Sequence, residues 1–438
     1  MPMTRLRLFL NITALLSLML SVCHAQTTPA GPAMPLTLRQ AEEIALAHNP
    51  QVSVSRLVAL AQGQVTRETR SRELPNLNGI LTAVEPEAGS RITAGGLNNP
   101  VLYERAAGGL SLSQLITDFG RSRNLVSAAK NREKAQQEDA TATAADIVLA
   151  VDQAFYRALE AQSLLTVARQ TVSARQLTVD QVQALTNAKL KSALDLSFAN
   201  VNLAQAKLLE LNATNQVDET LANLNTLLGQ EKQQPYQLVE EPGAQALALP
   251  PANLDQLTAD ALQSRPDLAA FNFQLQAAEK FRRAEHDLNR PTISALAVGG
   301  GAPVRDDHLS RNYGAAGVNI SIPVFNGFEF SARAREADYR AQAASELVRD
   351  LRNRITRDVR VSWLQTNTSF QRVNVAQQLL QQANLALDLA QSRYELGLGS
   401  IVELSQAQLQ QTEAAIGSAN AQYDYQIALS TLKFQTGH

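Results

Sequence analysis

Two short patterns hold the residues most capable of chemistry, Ser192-x-x-Asp195 and Ser400-x-x-Glu403, which lie 208 residues apart. A serine three residues ahead of an acid is the signature of a helix start: the hydroxyl takes an orphan amide, and the carboxylate favours the positive helix end. Other chemistry is hard to assemble. Cys23 is the only cysteine and there are five histidines, so no Cys/His or Ser/His/Asp nucleophile arrangement is legible. Asp306-Asp307-His308 has no partner ligand at a fixed spacing and reads as a solvated hairpin loop rather than a metal site. Gly299-Gly300-Gly301 lacks the Lys and Ser/Thr of a phosphate loop. Phe155 and Trp363, again 208 apart, read as helix-packing anchors. No enzyme and no cofactor is expected.

The recurrence of the 208 spacing leads to the elements. Leu38, Pro50 and Pro75 match Leu254, Pro266 and Pro291 at an offset of 216, whereas Ala199, Leu221, Leu224 and Gly229 match Ala407, Leu429, Leu432 and Gly437 at 208. Two constant offsets mean a duplication with one change of loop length, placed between Pro75 and the long helix that follows. The expected organisation is a signal peptide over 1–25, a first repeat over 26–229, a linker or irregular layer over 230–253 with Pro235, Pro242, Pro250 and Pro251, and a second repeat over 254–438.

Each repeat reads the same way. A helix from about Thr37 to Arg72, broken near Asn49-Pro50, precedes a Gly-rich segment, and residues 121–228 then contain neither Gly nor Pro. The second repeat has a helix from about Leu254, a Gly-rich segment from Pro291, and no Gly or Pro over 328–396. Breaks at Lys191-Ser192 and Gly397-Leu398-Gly399-Ser400 leave helices about 100 Å long at 1.5 Å per residue, each matched in length by two shorter helices that would stack end to end along it.

In the Gly-rich segments Leu110 and Leu112, and Val318, Ile320 and Ile322, alternate with polar residues, the period of strands with one apolar face. Partner strands are expected at 77–84 and 293–298, with loops holding Gly95 to Pro100 and Gly299 to Pro303. Four such strands cannot close a membrane barrel, which needs at least about eight, and an open edge in lipid leaves backbone groups unpaired. Several chains sharing one barrel, or soluble hairpins capping a coiled coil, both satisfy the pattern.

The first 25 residues carry Arg5, Arg7, an apolar run and Cys23-His24-Ala25, the parts of a secretory signal. Cys23 is lost with the signal, or else it carries a lipid anchor. Removing Arg5 and Arg7 from the 39 basic residues leaves 37 against 41 acidic ones, with no long basic run, so nucleic acid is not an expected partner.

Over nearly the whole mature chain these residues resemble the TolC-like outer-membrane efflux family. The resemblance rests on Leu36-Thr37-Leu38-Arg39-Gln40-Ala41 with Asn49-Pro50, on Leu112 to Gly120 with its counterpart Ile320 to Gly327, and on Arg393 to Leu404. It implies a mainly α fold with a small β part, and a homotrimer with a twelve-strand barrel among outer-membrane lipid and a twelve-helix periplasmic tunnel. The implied function is a passive exit duct for a tripartite efflux or type I secretion system, docked to a periplasmic adaptor and an energised inner-membrane transporter. The alternative is a soluble periplasmic coiled-coil adaptor or scaffold.

The resemblance also gives the tip residues roles. Asp195 and Glu403 match tip-gate carboxylates; Tyr394, Gly397, Gly399 and Ser400, with Ser192, match the adaptor-contact tip; Leu110, Leu112, Val318, Ile320 and Ile322 are the expected lipid-facing residues. Departures are Thr186 and Lys189 where the second repeat has Tyr394 and Gly397, and Gln406 where a second acid is usual.

Overall fold

The computed structural model describes residues 34–91, 101–232, 234–240, 249–251 and 253–437. The signal segment with Cys23, the loop from Gly95 to Pro100, and Pro242 lie outside them. The first repeat comprises β1 (Met34–Leu36), α1 (Leu38–His48), α2 (Pro50–Ser71), β2 (Asn76–Val84), β3 (Arg105–Thr117), α3 (Arg121–Asn187) and α4 (Ala193–Leu227). β4 (Tyr236–Leu238) lies in the linker, and the second repeat comprises α5 (Leu254–Ser264), α6 (Pro266–His286), β5 (Thr292–Arg305), β6 (Asn312–Ser321), α7 (Glu329–Glu395) and α8 (Ile401–Thr436).

Local chemistry sets the boundaries. Thr37 and Gln40 form a capping box at the start of α1. Asn49 is extended, as the residue before a proline must be, so the first helix is two helices. The Asn49 side chain caps α2 and donates to the Leu227 carbonyl at 2.8 Å, and in the second repeat Ser264, one residue before the matching position Arg265, donates through Oγ to the Thr436 carbonyl at 3.0 Å. Each break is thereby fastened to the end of its repeat's last helix. α3 and α7 each run 67 residues, about 100 Å, and both begin after two consecutive residues at positive φ: Phe119 and Gly120, then Gly327 and Phe328.

Within each repeat the short helices lie along the long one: α2 and α4 pack on α3, α6 and α8 on α7, and α6 and α8 also cross to α3. Alanines such as Ala158, Ala161 and Ala168 are fully buried, which lets these helices approach closely. Phe155 is an anchor, in a core with Leu224 and Leu228. Trp363 does something else, donating its indole N–H to the Pro251 carbonyl at 2.7 Å and so tethering the linker, while β4 in that linker pairs in parallel with β1.

The four longer strands form one antiparallel sheet in the order β2-β3-β5-β6. Two expectations are corrected. Gly299-Gly300-Gly301 is not a loop but part of β5, paired with Gly108, Gly109 and Leu110 on one side and Asn312, Tyr313 and Gly314 on the other. The Tyr313 hydroxyl lies over Gly109 and Gly300, where a Cβ would collide with it. Ile322 lies beyond β6, which stops at Ser321 as the chain approaches Pro323, a residue with no N–H to continue the ladder.

Candidate functional site at the helical tip

Both long helices end in the same turn. The Leu190 N–H reaches the Leu185 carbonyl and the Lys189 N–H that of Thr186; Leu398 and Gly397 repeat this with Arg393 and Tyr394. The pattern forces a left-handed residue at its centre. Gly397 supplies it at φ +75°, whereas Lys189 adopts φ +60° despite its side chain. Gly399 is closely surrounded: a Cβ there would lie 3.2 Å from the Glu403 carboxylate and 3.3 Å from the Arg393 Cβ.

The helices that follow start alike but use their acids differently. Ser192 Oγ accepts from the Asp195 N–H at 3.1 Å, and Asp195 accepts in return from the Ser192 N–H at 3.1 Å, a closed capping box. Ser400 Oγ accepts from the Glu403 N–H at 3.1 Å, but the Glu403 carboxylate turns away to Arg393 Nε at 3.1 Å. Arg393 Nη2 also donates to the Leu398 carbonyl at 3.2 Å and so clasps the tip turn.

The two tips are packed into each other. Tyr394 is 5% exposed in a core shared by Val179, Val182 and Leu203 of the first repeat and Ile401 and Leu404 of the second. Lys191 places its ammonium 4.0 Å from the Tyr394 ring centre. Burial, and then the nearby Asp195 carboxylate, push the Tyr394 hydroxyl above its ordinary pKa, and among the described residues that hydroxyl has no hydrogen-bond partner. The structure thus gathers Ser192, Asp195, Tyr394, Gly399, Ser400 and Glu403 at one end of the bundle. Lys191 and Arg393 were missed; the only signal for Arg393 was its place beside Tyr394, ten residues before Glu403. Around this core Leu190, Leu194, Leu396, Leu398 and Val402 stand exposed.

At the other end the sheet separates two faces. Register puts Leu77 across from Leu112, Leu112 across from Ala297, and Ala297 across from Ala316, so Leu110, Leu112, Val318 and Ile320 share one face. The opposite face has Asn76, Asn78, Ser111, Ser113 and Asn319, with Leu296 and Val298 among them. Asp306 and His308 sit in the hairpin turn between β5 and β6, where the His308 N–H donates to Asp306 at 2.9 Å and the imidazole stacks on Tyr103. Among the described residues no cluster of His, Cys, Asp or Glu is placed to hold a metal ion, and no helix is long and apolar enough to cross a membrane.

The sequence model of the family described as "Outer membrane efflux protein" matches residues 43–230 and 257–438. The chain is 24% identical to the outer membrane protein TolC of Escherichia coli (strain K12) over 425 residues, 91% of this chain and 82% of that protein. It is also 24% identical to the outer membrane protein OprJ of Pseudomonas aeruginosa, over 90% of this chain and 82% of the relative. Among solved structures, a membrane protein from Pseudomonas aeruginosa superposes with a TM-score of 0.81 at 23% identity, covering 91% of this chain and 93% of that one. The open state of the Neisseria gonorrhoeae MtrE outer membrane channel superposes at 0.77 and 19% identity, covering 91% and 88%.

Proposed function

The chain belongs to the outer membrane efflux protein family, and from that premise we propose that three copies assemble into one passive exit duct, with four strands each in the outer membrane and the long helices walling a periplasmic tunnel. The observation that carries this reading is the unclosed sheet: β2 and β6 are both edges, and strands of 9 to 14 residues match the ~9–11 needed to cross a bilayer. An open edge is not viable in lipid, and pairing β6 of one chain with β2 of the next removes every edge at once. Exposed apolar residues along the helices, among them Leu208 and Leu211 of α4 and Val375 and Leu379 of α7, support burial against neighbouring chains.

The tip is the closing end. Asp195 and Glu403 act there as the gate carboxylates, six in a trimer, and favour cations at the constriction. The exposed leucines beside them, with Gly397 and Gly399, form the surface that meets a periplasmic adaptor, through which an energised inner-membrane transporter hands over cargo; Tyr394, expected at that contact, is buried and supports the surface from beneath. Membrane extraction tests the reading: the protein should require detergent and have three times the mass of one chain. Recovery as a monomer in the soluble periplasmic fraction would overturn it in favour of a coiled-coil adaptor.

A further inference from the structure

The junction of α3, α4 and α8 buries a positive charge that no carboxylate among the described residues answers. Arg175 lies twelve residues before the end of α3, about 18 Å along the helix, and is 7% exposed. Its Nη2 donates to the Gln408 carbonyl at 2.8 Å and to Thr412 Oγ1 at 3.1 Å. Burial pulls its guanidinium pKa down to about 10. Nε and Nη1 hold three further N–H donors, and no protein acceptor meets them among the described residues.

Arg175 lines a cavity of about 130 Å³ whose polar walls are Thr171, Asn202, Gln205, Ser405 and Thr412. Neither Asp nor Glu lines it. Asn202 donates to Ser405 Oγ at 2.8 Å, which leaves the Ser405 hydroxyl hydrogen free to turn inward. Carbonyl and hydroxyl dipoles satisfy two of the guanidinium hydrogens but do not neutralise its charge, and the remaining donors face the open side of the cavity. Nor is the arginine a requirement of helix packing: the position 208 residues on is Ala383, also buried.

We infer that this cavity is a binding site for a small monovalent anion of halide size, one per chain, held by Arg175 with Ser405 and Gln205 and fastening α8 to α3 and α4. One guanidinium matches one negative charge, and the volume suits a halide with a water rather than a bulky polyanion.

Bromide is the probe. Crystals of the full chain in bromide should show an anomalous peak within hydrogen-bonding reach of Arg175. In detergent solution, bromide replacing gluconate at constant ionic strength should raise the melting temperature in a saturable way, and Arg175→Met should abolish that rise. Because Arg175→Met could misfold, Ser405→Ala and Gln205→Leu keep the charge and should each raise the half-saturating bromide concentration about tenfold. No anomalous peak, or equal bromide curves for wild type and variants, would overturn the assignment. A peak without a saturable, Arg175-dependent shift would mark an adventitious ion only, and overturn it equally.

Discussion

Lys191 of the first-repeat tip lies with its ammonium nitrogen 4.0 Å from the centre of the Tyr394 ring of the second-repeat tip. The residues that hold the bundle's end together therefore come from different repeats, although each repeat builds its own turn. A cation over an aromatic face contributes about 0.5–2 kcal/mol depending on desolvation, and the ring's burial contributes more.

Tyr394→Ala and Tyr394→Phe should separate accordingly. The alanine removes the ring from the shared core, a loss of about 3–5 kcal/mol for a buried aromatic, and frees Lys191. The phenylalanine removes only a hydroxyl that is buried without a partner, a neutral or slightly stabilising change. Single-channel recording should show raised conductance for the alanine variant and wild-type conductance for the phenylalanine variant.

The two tip carboxylates should differ in stability and agree in function. Asp195→Ala opens a capping box and should lower helix stability by about 1 kcal/mol. Glu403→Ala breaks an ion pair whose side chains are about half exposed, which contributes about 0–1 kcal/mol. Both should raise the conductance of the closed duct in planar bilayers. Unchanged conductance with the expected melting shifts would leave Asp195 as a capping-box residue and Glu403 as the partner of Arg393 alone.

Adjacent residues on β3 test which face meets lipid. Leu112 shares the face of Leu110, Val318 and Ile320, and Ser111 points to the other. An arginine on a lipid face costs about 2–4 kcal/mol at mid-membrane. Leu112→Arg should reduce the amount of assembled protein in outer-membrane fractions, and Ser111→Arg should not. The reverse order would exchange the two faces.

Glu160 on α3 gives a pH dependence of known sign. Burial, then the Asp424 carboxylate, raise its pKa, against the opposing Arg157. The ionised form is penalised in the folded state, so this group's contribution to stability falls as pH rises through the raised value. Glu160→Gln should melt higher than wild type near pH 8, with the difference shrinking on acidification and gone below the ordinary glutamate value of 4.5. A constant difference across that range would show that ionisation is not the cause.

What could be read without coordinates follows the range of each interaction. Runs free of Gly and Pro gave the start of α3 to the residue and that of α7 to within one, Phe328 being its left-handed cap, and Asn49-Pro50 gave the break in the first helix, because helix propensity and proline geometry are local. The eight-residue change in offset falls in the hairpins: β2 and β5 start 216 residues apart, α3 and α7 start 208 apart. The glycine triplet at 299–301 was misjudged because its packing partner, Tyr313, sits on the next strand. Lys189 was read as a departure from the second tip, yet the turn imposes the same left-handed backbone on it. Lys191 with Tyr394, and Arg175 with Gln408, are more than 200 residues apart and leave no trace in spacing.

The shared barrel is the central claim, and crosslinking the two free edges tests it most directly. In a Cys23→Ser background, Asn78→Cys on β2 and Asn319→Cys on β6 place one thiol on each edge strand. Treatment of intact membranes with a short bis-maleimide should give covalent dimers and trimers, and each single-cysteine variant should remain monomeric on denaturing gels. A double variant that also stays monomeric, with the protein present in the outer membrane, would contradict a barrel closed by three chains.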